Sequence, residues 1–244
     1  MFPFIRSKKI TPDFSFLGTD MHNHFLPGLD DGVKTMEETL TFFKKMKAMG
    51  YHQFYCTPHI IEGMYPNTPE NINNTLQLVN ERVKYEGIEV QVKAAAEYMA
   101  DHDFEQLLKE NRPLLTFGGN YVLIEMSYVA PSSFIDTAIF QLKLKGLQPV
   151  LAHPERYGYL HHSFNHYVNY LDRGCLLQLN LLSITGYYGP QIKKIAEKLL
   201  REDMISFLGT DIHHQNHLDG LQALGQNTSI MSLLKQKRFL NNTL

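Results

Sequence analysis

Seven short apolar or alternating runs recur along the chain, separated by longer stretches of helical period, and this alternation narrows the fold more than any other feature. The runs are FSFLGTDM, HQFYCTP, VQVKAAAE, YVLIEMS, QPVLAH, CLLQLN and ISFLGTDIH. The intervening segments carry helix punctuation. TMEETLTFFKKMKAMG pairs Thr35 with Glu38 as a capping box and ends in a basic turn before Gly50. Thr68 and Pro69 mark the start of a second helix, and Gly87, Gly146 and Gly174 each stand between a helical stretch and the next run. Repeated βα units predict an α/β chain, a somewhat irregular TIM-like barrel of about seven units forming a single domain over residues 1–244. A doubly wound open sheet is the alternative.

In a parallel barrel the chemistry collects at the C-terminal ends of the strands. Six of the seven runs end in a metal-ligand type: His22 and His24, then His59, Glu97, Glu125, His153, and finally Asp211 with His213. Asp31 follows shortly after the first run, and the sixth run ends at Asn180, placed to support a ligand. In an extended segment the rings of His22 and His24 face the same way, which is the reason for an HxH pair. Carboxylates gathered with imidazoles at one mouth would repel and lose solvation, so Glu97, Glu125, Asp31 and Asp211 together call for cations. Mixed imidazole and carboxylate ligands suit zinc, manganese or iron, and they are too many for one ion. Two or three divalent ions, with Glu97 bridging, would activate water and clamp both oxygens of an in-line displacement, which is phosphoester hydrolysis. Arg156, just beyond His153, offers a planar fork for phosphate oxygens.

Composition removes several other classes. With 25 acidic and 23 basic residues, the chain has no field that would recruit nucleic acid or a membrane surface. The opening MFPFIRSKKITPDF lacks the order of a signal peptide, and no run is long enough to span a bilayer, so a soluble, cytoplasmic chain that is not membrane-inserted is expected. Cys56 and Cys175 lie in apolar runs and read as buried thiols. Neither has an arginine six positions on, where Glu62 and Leu181 stand, which argues against a thiolate phosphatase. His161, His162, His166, His214 and His217 read as solvent-exposed, Asp30 as a loop residue before Gly32, and Tyr157, Tyr187 and Tyr188 as packing over the mouth or flanking an aromatic ester.

With these motifs in order, DMHNHFLPGLDDG, TPH, AAAEYM, IEMS, AHPERY and GTDIH, the chain resembles the polymerase-and-histidinol-phosphatase superfamily. More closely, it is similar to the metal-dependent protein-tyrosine phosphatases of bacterial capsule and exopolysaccharide loci. The resemblance implies a distorted barrel of seven βα units and a trinuclear site, commonly with manganese. It implies one ion on His22, His24, Glu97 and Asp211, a second on Glu97, Glu125 and His153, a third on Asp31, His59 and His213, and phosphate on Arg156. The implied substrate is phosphotyrosine on the tail of a tyrosine autokinase that controls polysaccharide export. Two departures stand out: HHQNHLDGLQAL has no basic residue after the last motif, and Ile60 and Ile61 replace a more polar stretch after His59. The rival readings are a histidinol-phosphate or other small phosphomonoester phosphatase, a barrel amidohydrolase, and an inactive metal-stabilised binding module.

Overall fold

The structure is a computed structural model that describes residues 11–244, so the segment at 1–10, on which the reading of the N-terminus partly rests, lies outside the described residues. The strands are β1 (Thr19–Asn23), β2 (Gln53–Cys56), β3 (His59–Ile60), β4 (Gln91–Ala94), β5 (Glu97–Met99), β6 (Tyr121–Glu125), β7 (Gln148–Ala152), β8 (Leu176–Asn180) and β9 (Phe207–Gly209). Between and after them run α1 (Met36–Ala48), α2 (Pro69–Tyr85), α3 (His102–Lys109), α4 (Ile135–Leu144), α5 (Asn165–Asp172), α6 (Pro190–Arg201), α7 (Gln215–Gly225) and α8 (Thr228–Lys235).

All strand pairings are parallel, with β1-β2-β4 in one sheet and β3-β5-β6-β7-β8-β9 in the other. The third expected strand is split in two, as β4 and β5, and a further short strand, β3, follows the second expected one, β2. Pro58 sits between β2 and β3 and has no N–H for a ladder bond. Hydrogen bonds still cross this level, from Ala95 N to Cys56 O (2.8 Å) and from Glu97 N to Pro58 O (3.1 Å), so the two sheets form one wall. The wall closes on itself: Asp211 N donates to His22 O (2.8 Å) and His24 N to Ile212 O (3.1 Å). Sequential strand order with the last strand beside the first is a barrel; the doubly wound alternative would reverse the order at a switch point.

The helix signals are realised locally. Thr35 Oγ1 accepts from Glu38 N (3.2 Å) while Glu38 Oε2 accepts from Thr35 N (3.1 Å), a reciprocal cap worth about 1 kcal/mol. Thr68 and Asn71 form the same exchange at α2, with Pro69 in its first turn. Gly50, Gly87, Gly146 and Gly174 all take positive φ just past helix ends, a conformation that costs other residues free energy. The first strand begins later than expected, at Thr19, because Leu17 N and Gly18 N turn back onto Phe14 O. Helices pack outside the wall over a large buried core that includes Phe25, Phe43 and Phe54. Inside the wall, at its N-terminal end, Met21, Tyr55, Ala95, Leu123, Val150, Ala152 and Phe207 form a separate apolar plug with Phe117. Both cysteines are free and buried; burial pushes the Cys175 thiol up to about 12.

Candidate metal centre

The inward positions change character along each strand. Ala95 leads to Glu97, Leu123 to Glu125, Leu176 to Gln178 and Asn180, and Phe207 to Gly209 and Asp211, each at the two-residue spacing that keeps side chains on one face. His22, His24 and His153 fall out of that phase. Met21 belongs to the apolar plug, so strict alternation would turn His22 away from the interior. A register shift in the β1–β2 pairing between Asp20 and Asn23 restores it, as bulges beside active sites do. Ala152 also faces the plug, and His153 is brought inward by a left-handed backbone, φ 33°. Asp211 shares this conformation, φ 50°. Left-handed non-glycine residues cost about 1–3 kcal/mol each and cluster at functional sites.

All nine candidate ligands converge. His22 Nε2 lies 3.1 Å from Glu97 Oε2 and 3.4 Å from Asp211 Oδ1, and His24 Nε2 lies 3.5 Å and 3.3 Å from the same two atoms. The other Glu97 oxygen meets His153 Nε2 at 3.0 Å. His59 offers Nδ1 to Glu125 (2.8 Å) and Glu97 (3.2 Å), and Nε2 to Asp31 (3.5 Å), which also meets His213 Nε2 at 3.4 Å. Donor atoms within 4.8 Å of one another define three groups: His22, Glu97, His153 and Asp211; His59, Glu97 and Glu125; His24, Asp31, His59 and His213. Glu97 is shared between two groups, as the resemblance implies, but His59 is shared as well, His24 falls with Asp31, His59 and His213, and His153 falls with His22, Glu97 and Asp211. Asp31 is the one exposed member of the set.

This donor set fits divalent ions. His59 Nδ1 and Glu125 Oε1 are buried and 2.8 Å apart, yet neither is in a hydrogen bond. Their lone pairs meet at shared points, as a cation requires. Without one, protons mediate the repulsion. Burial lowers the proton affinity of His59, but Glu97 and Glu125 overturn that and raise it to about 9. Burial, then the Glu97 charge, pushes Glu125 up to about 7. Glu97 and Asp211 resist burial and stay well below the carboxylate range because imidazoles surround them. His153 is pulled down to about 4, chiefly by burial, so it is neutral at pH 7 and free to ligate.

Several participants were not singled out as such by the sequence. Asp30, expected as a plain loop residue, is buried and accepts from His24 Nδ1 at 2.7 Å, from Gly32 N at 2.9 Å and from His59 N at 3.0 Å. Gln178 Oε1 holds His22 Nδ1 at 2.9 Å. Both act on the ring nitrogen opposite the cluster and so fix tautomer and orientation. That requirement was the available signal: each ligating histidine needs a partner for its second nitrogen. Asn180 has the supporting place expected of it, donating from Nδ2 to Asp211 Oδ2 at 2.9 Å. Glu155, fully buried, accepts from Ser183 Oγ and Asn180 N, tying the turn that carries Arg156 to the end of β8. Arg156 itself donates from Nη1 to Asp211 Oδ2 at 2.6 Å.

Among the surplus histidines, His162, His166 and His214 are exposed as expected, but His161 and His217 are not. His161 Nε2 meets Glu155 O at 2.7 Å, and His217 packs edge-on against Tyr187, Tyr188 and His213. Tyr157 is a packing residue whose hydroxyl accepts from Met126 N.

Residues 18–220 match the family described as capsular polysaccharide synthesis, CpsB/CapC. The chain belongs to this family. It is 27% identical over 195 residues to the tyrosine-protein phosphatase YwqE of Bacillus subtilis, covering 80% of this chain and 77% of that one. It is 28% identical over 201 residues to the tyrosine-protein phosphatase CpsB of Streptococcus pneumoniae, with 80% and 82% covered. One solved chain, from crystal structures of YwqE from Bacillus subtilis and CpsB from Streptococcus pneumoniae described as unique metal-dependent tyrosine phosphatases, gives a TM-score of 0.76 at 26% identity, covering 88% of this chain and 89% of that one. A histidinol phosphate phosphatase from Lactococcus lactis shares the fold, with a TM-score of 0.50 at 13% identity over 88% of this chain and 93% of that one. Among the described residues of this CpsB/CapC family member, no helix is long and apolar enough to cross a membrane.

Proposed function

We propose that this chain is a metal-dependent protein-tyrosine phosphatase, acting as one domain in the cytoplasm on a tyrosine autokinase that governs capsule or exopolysaccharide synthesis. The observation that carries the reading is the convergence of nine imidazole and carboxylate side chains on shared points beside a single guanidinium. His22, His24, Asp31, His59, Glu97, Glu125, His153, Asp211 and His213 would hold two or three divalent ions, with manganese the first choice and zinc or iron the alternatives. Such ions would supply Lewis acidity that activates water and stabilises charge on the phosphoryl oxygens.

The chain's own groups do the rest. Arg156 donates to the phosphate oxygens with the N–H groups that Asp211 leaves free. Asp30 and Gln178 hold His24 and His22 in the tautomer that turns Nε2 to the cluster. The half-buried Tyr65, stacked on His59, and Tyr188 wall the mouth and limit water.

The test strips the protein with chelator, restores manganese, zinc or iron, and compares a phosphotyrosine peptide with a phosphoserine peptide and histidinol phosphate. Metal-restored turnover selective for phosphotyrosine is expected. Preference for histidinol phosphate would keep the cluster and reject the substrate, and no turnover with any metal would reject the enzyme.

A further inference from the structure

The guanidinium of Arg156 lies between two aromatic rings, 4.8 Å from the Tyr128 centroid and 4.2 Å from the Tyr188 centroid. We propose that Tyr128 and Tyr188 are positioning residues, a clamp that fixes Arg156 at the metal cluster and thereby sets the protein's affinity for the phosphate group. The proposal rests on the phosphatase reading and adds two residues to it.

A cation held by ring faces keeps its N–H groups. Asp211 takes one bond from Nη1, and no other hydrogen bond of the guanidinium is present among the described residues, so most of its donors stay free for an oxyanion. Each ring is anchored independently of Arg156. The Tyr188 hydroxyl accepts from Asn180 Nδ2 at 3.2 Å, the same amide that supports Asp211. Tyr128 packs against His153 and Tyr157, 5.8 Å and 5.7 Å between centroids. The rings arrive from different places, Tyr128 from just beyond β6 and Tyr188 from the segment after β8, so no local sequence constraint brings them together. A long flexible arginine needs such restraint, and from Asp211 to Leu234 the chain has no lysine or arginine that could share the phosphate. The clamp supplies by orientation what a second cation would supply by charge.

The experiment uses the metal-loaded full chain and reads the dissociation constant of inorganic phosphate by titration calorimetry, alongside kcat and KM for a phosphotyrosine peptide. Tyr128→Leu and Tyr188→Leu each weaken phosphate binding roughly tenfold, with a matching rise in peptide KM, while Tyr128→Phe stays within about twofold of the parent. In an Arg156→Ala background the leucine substitutions add nothing, because the group they position is gone. Leucine variants that bind phosphate as the parent does would overturn the clamp, as would an effect that persists without Arg156. A rise in peptide KM with an unchanged phosphate constant would also overturn it, assigning the rings to the substrate's aryl group instead. Phosphate binding by a parent that turns over no phosphotyrosine would defeat the phosphatase reading alone, and the phosphate constants would still judge the clamp.

Discussion

The two ends of the barrel are built from the same strands and solve opposite problems. At the base, Met21, Leu123, Val150 and Phe207 fill the interior, and Leu240 and Leu244 from the C-terminal segment pack beneath them. Two residues beyond Ala95 and Leu123, and four beyond Phe207, the inward positions are Glu97, Glu125 and Asp211, all buried. The base gains free energy by removing apolar surface from water, about 25 cal/mol for each Å². The mouth instead holds like charges out of water, an arrangement that is unfavourable unless cations or protons compensate it. Stability is therefore generated at one end and used at the other. His153 and Asp211, both at the mouth, have left-handed backbones.

If that division is right, substitutions at the two ends should fail differently. Glu97→Gln removes the carboxylate that meets His22, His59 and His153. Turnover should fall on the order of a thousandfold, several kcal/mol in the barrier, while the denaturation midpoint of the folded chain changes little. Metal content and single-turnover rates check it, and a variant that unfolds instead would show that the mouth contributes stability after all. Phe207→Ala at the base should do the reverse, costing about 3–5 kcal/mol in denaturant titration with turnover per folded, metal-loaded molecule unchanged.

Asp30→Asn refines the boundary, since Asp30 touches a histidine and no shared point of the cluster. Metal affinity should weaken by about 10–100-fold with the fold intact, measured by competition with a chelating dye. The smallest effect should be the pH dependence of the metal-free protein. His59 binds its proton more tightly folded, at about 9, than unfolded, at its ordinary value near 6.5. Its contribution is fully present below about 6.5 and is lost as pH rises through about 9, so the metal-free denaturation midpoint should decline over that window. Bound metal excludes the proton and should flatten the decline. A midpoint that rises over this window without metal would contradict the proton's role as the cluster's stand-in cation.

Much of this was legible from residues alone, and for a reason. Strand alternation and helix caps are local: Thr35 with Glu38, and Thr68 with Pro69, act over a few residues and need no distant partner. The convergence of six strand ends was also readable, because a parallel barrel brings the C-terminal ends of its strands to one face wherever the individual residues lie. What escaped was whatever depends on a partner far along the chain. Asp30 looked like turn chemistry, and its Oδ1 does make a turn with Gly32, but Oδ2 serves His24 and His59 once the loop folds back. Gln178 carries no local mark within the sixth run, yet it orients His22 across 156 positions of sequence.

Residue types and their spacing were thus enough to establish seven βα units, their order and a set of metal-binding groups at one end, since each follows from local periodicity and chain connectivity. Tertiary structure alone decided which atom faces which. The shift in β1 that returns His22 to the interior, the left-handed turn at His153 and the two rings around Arg156 arise from closing the barrel. Closure makes every strand's phase depend on its neighbours, and no local pattern in a linear sequence carries that information.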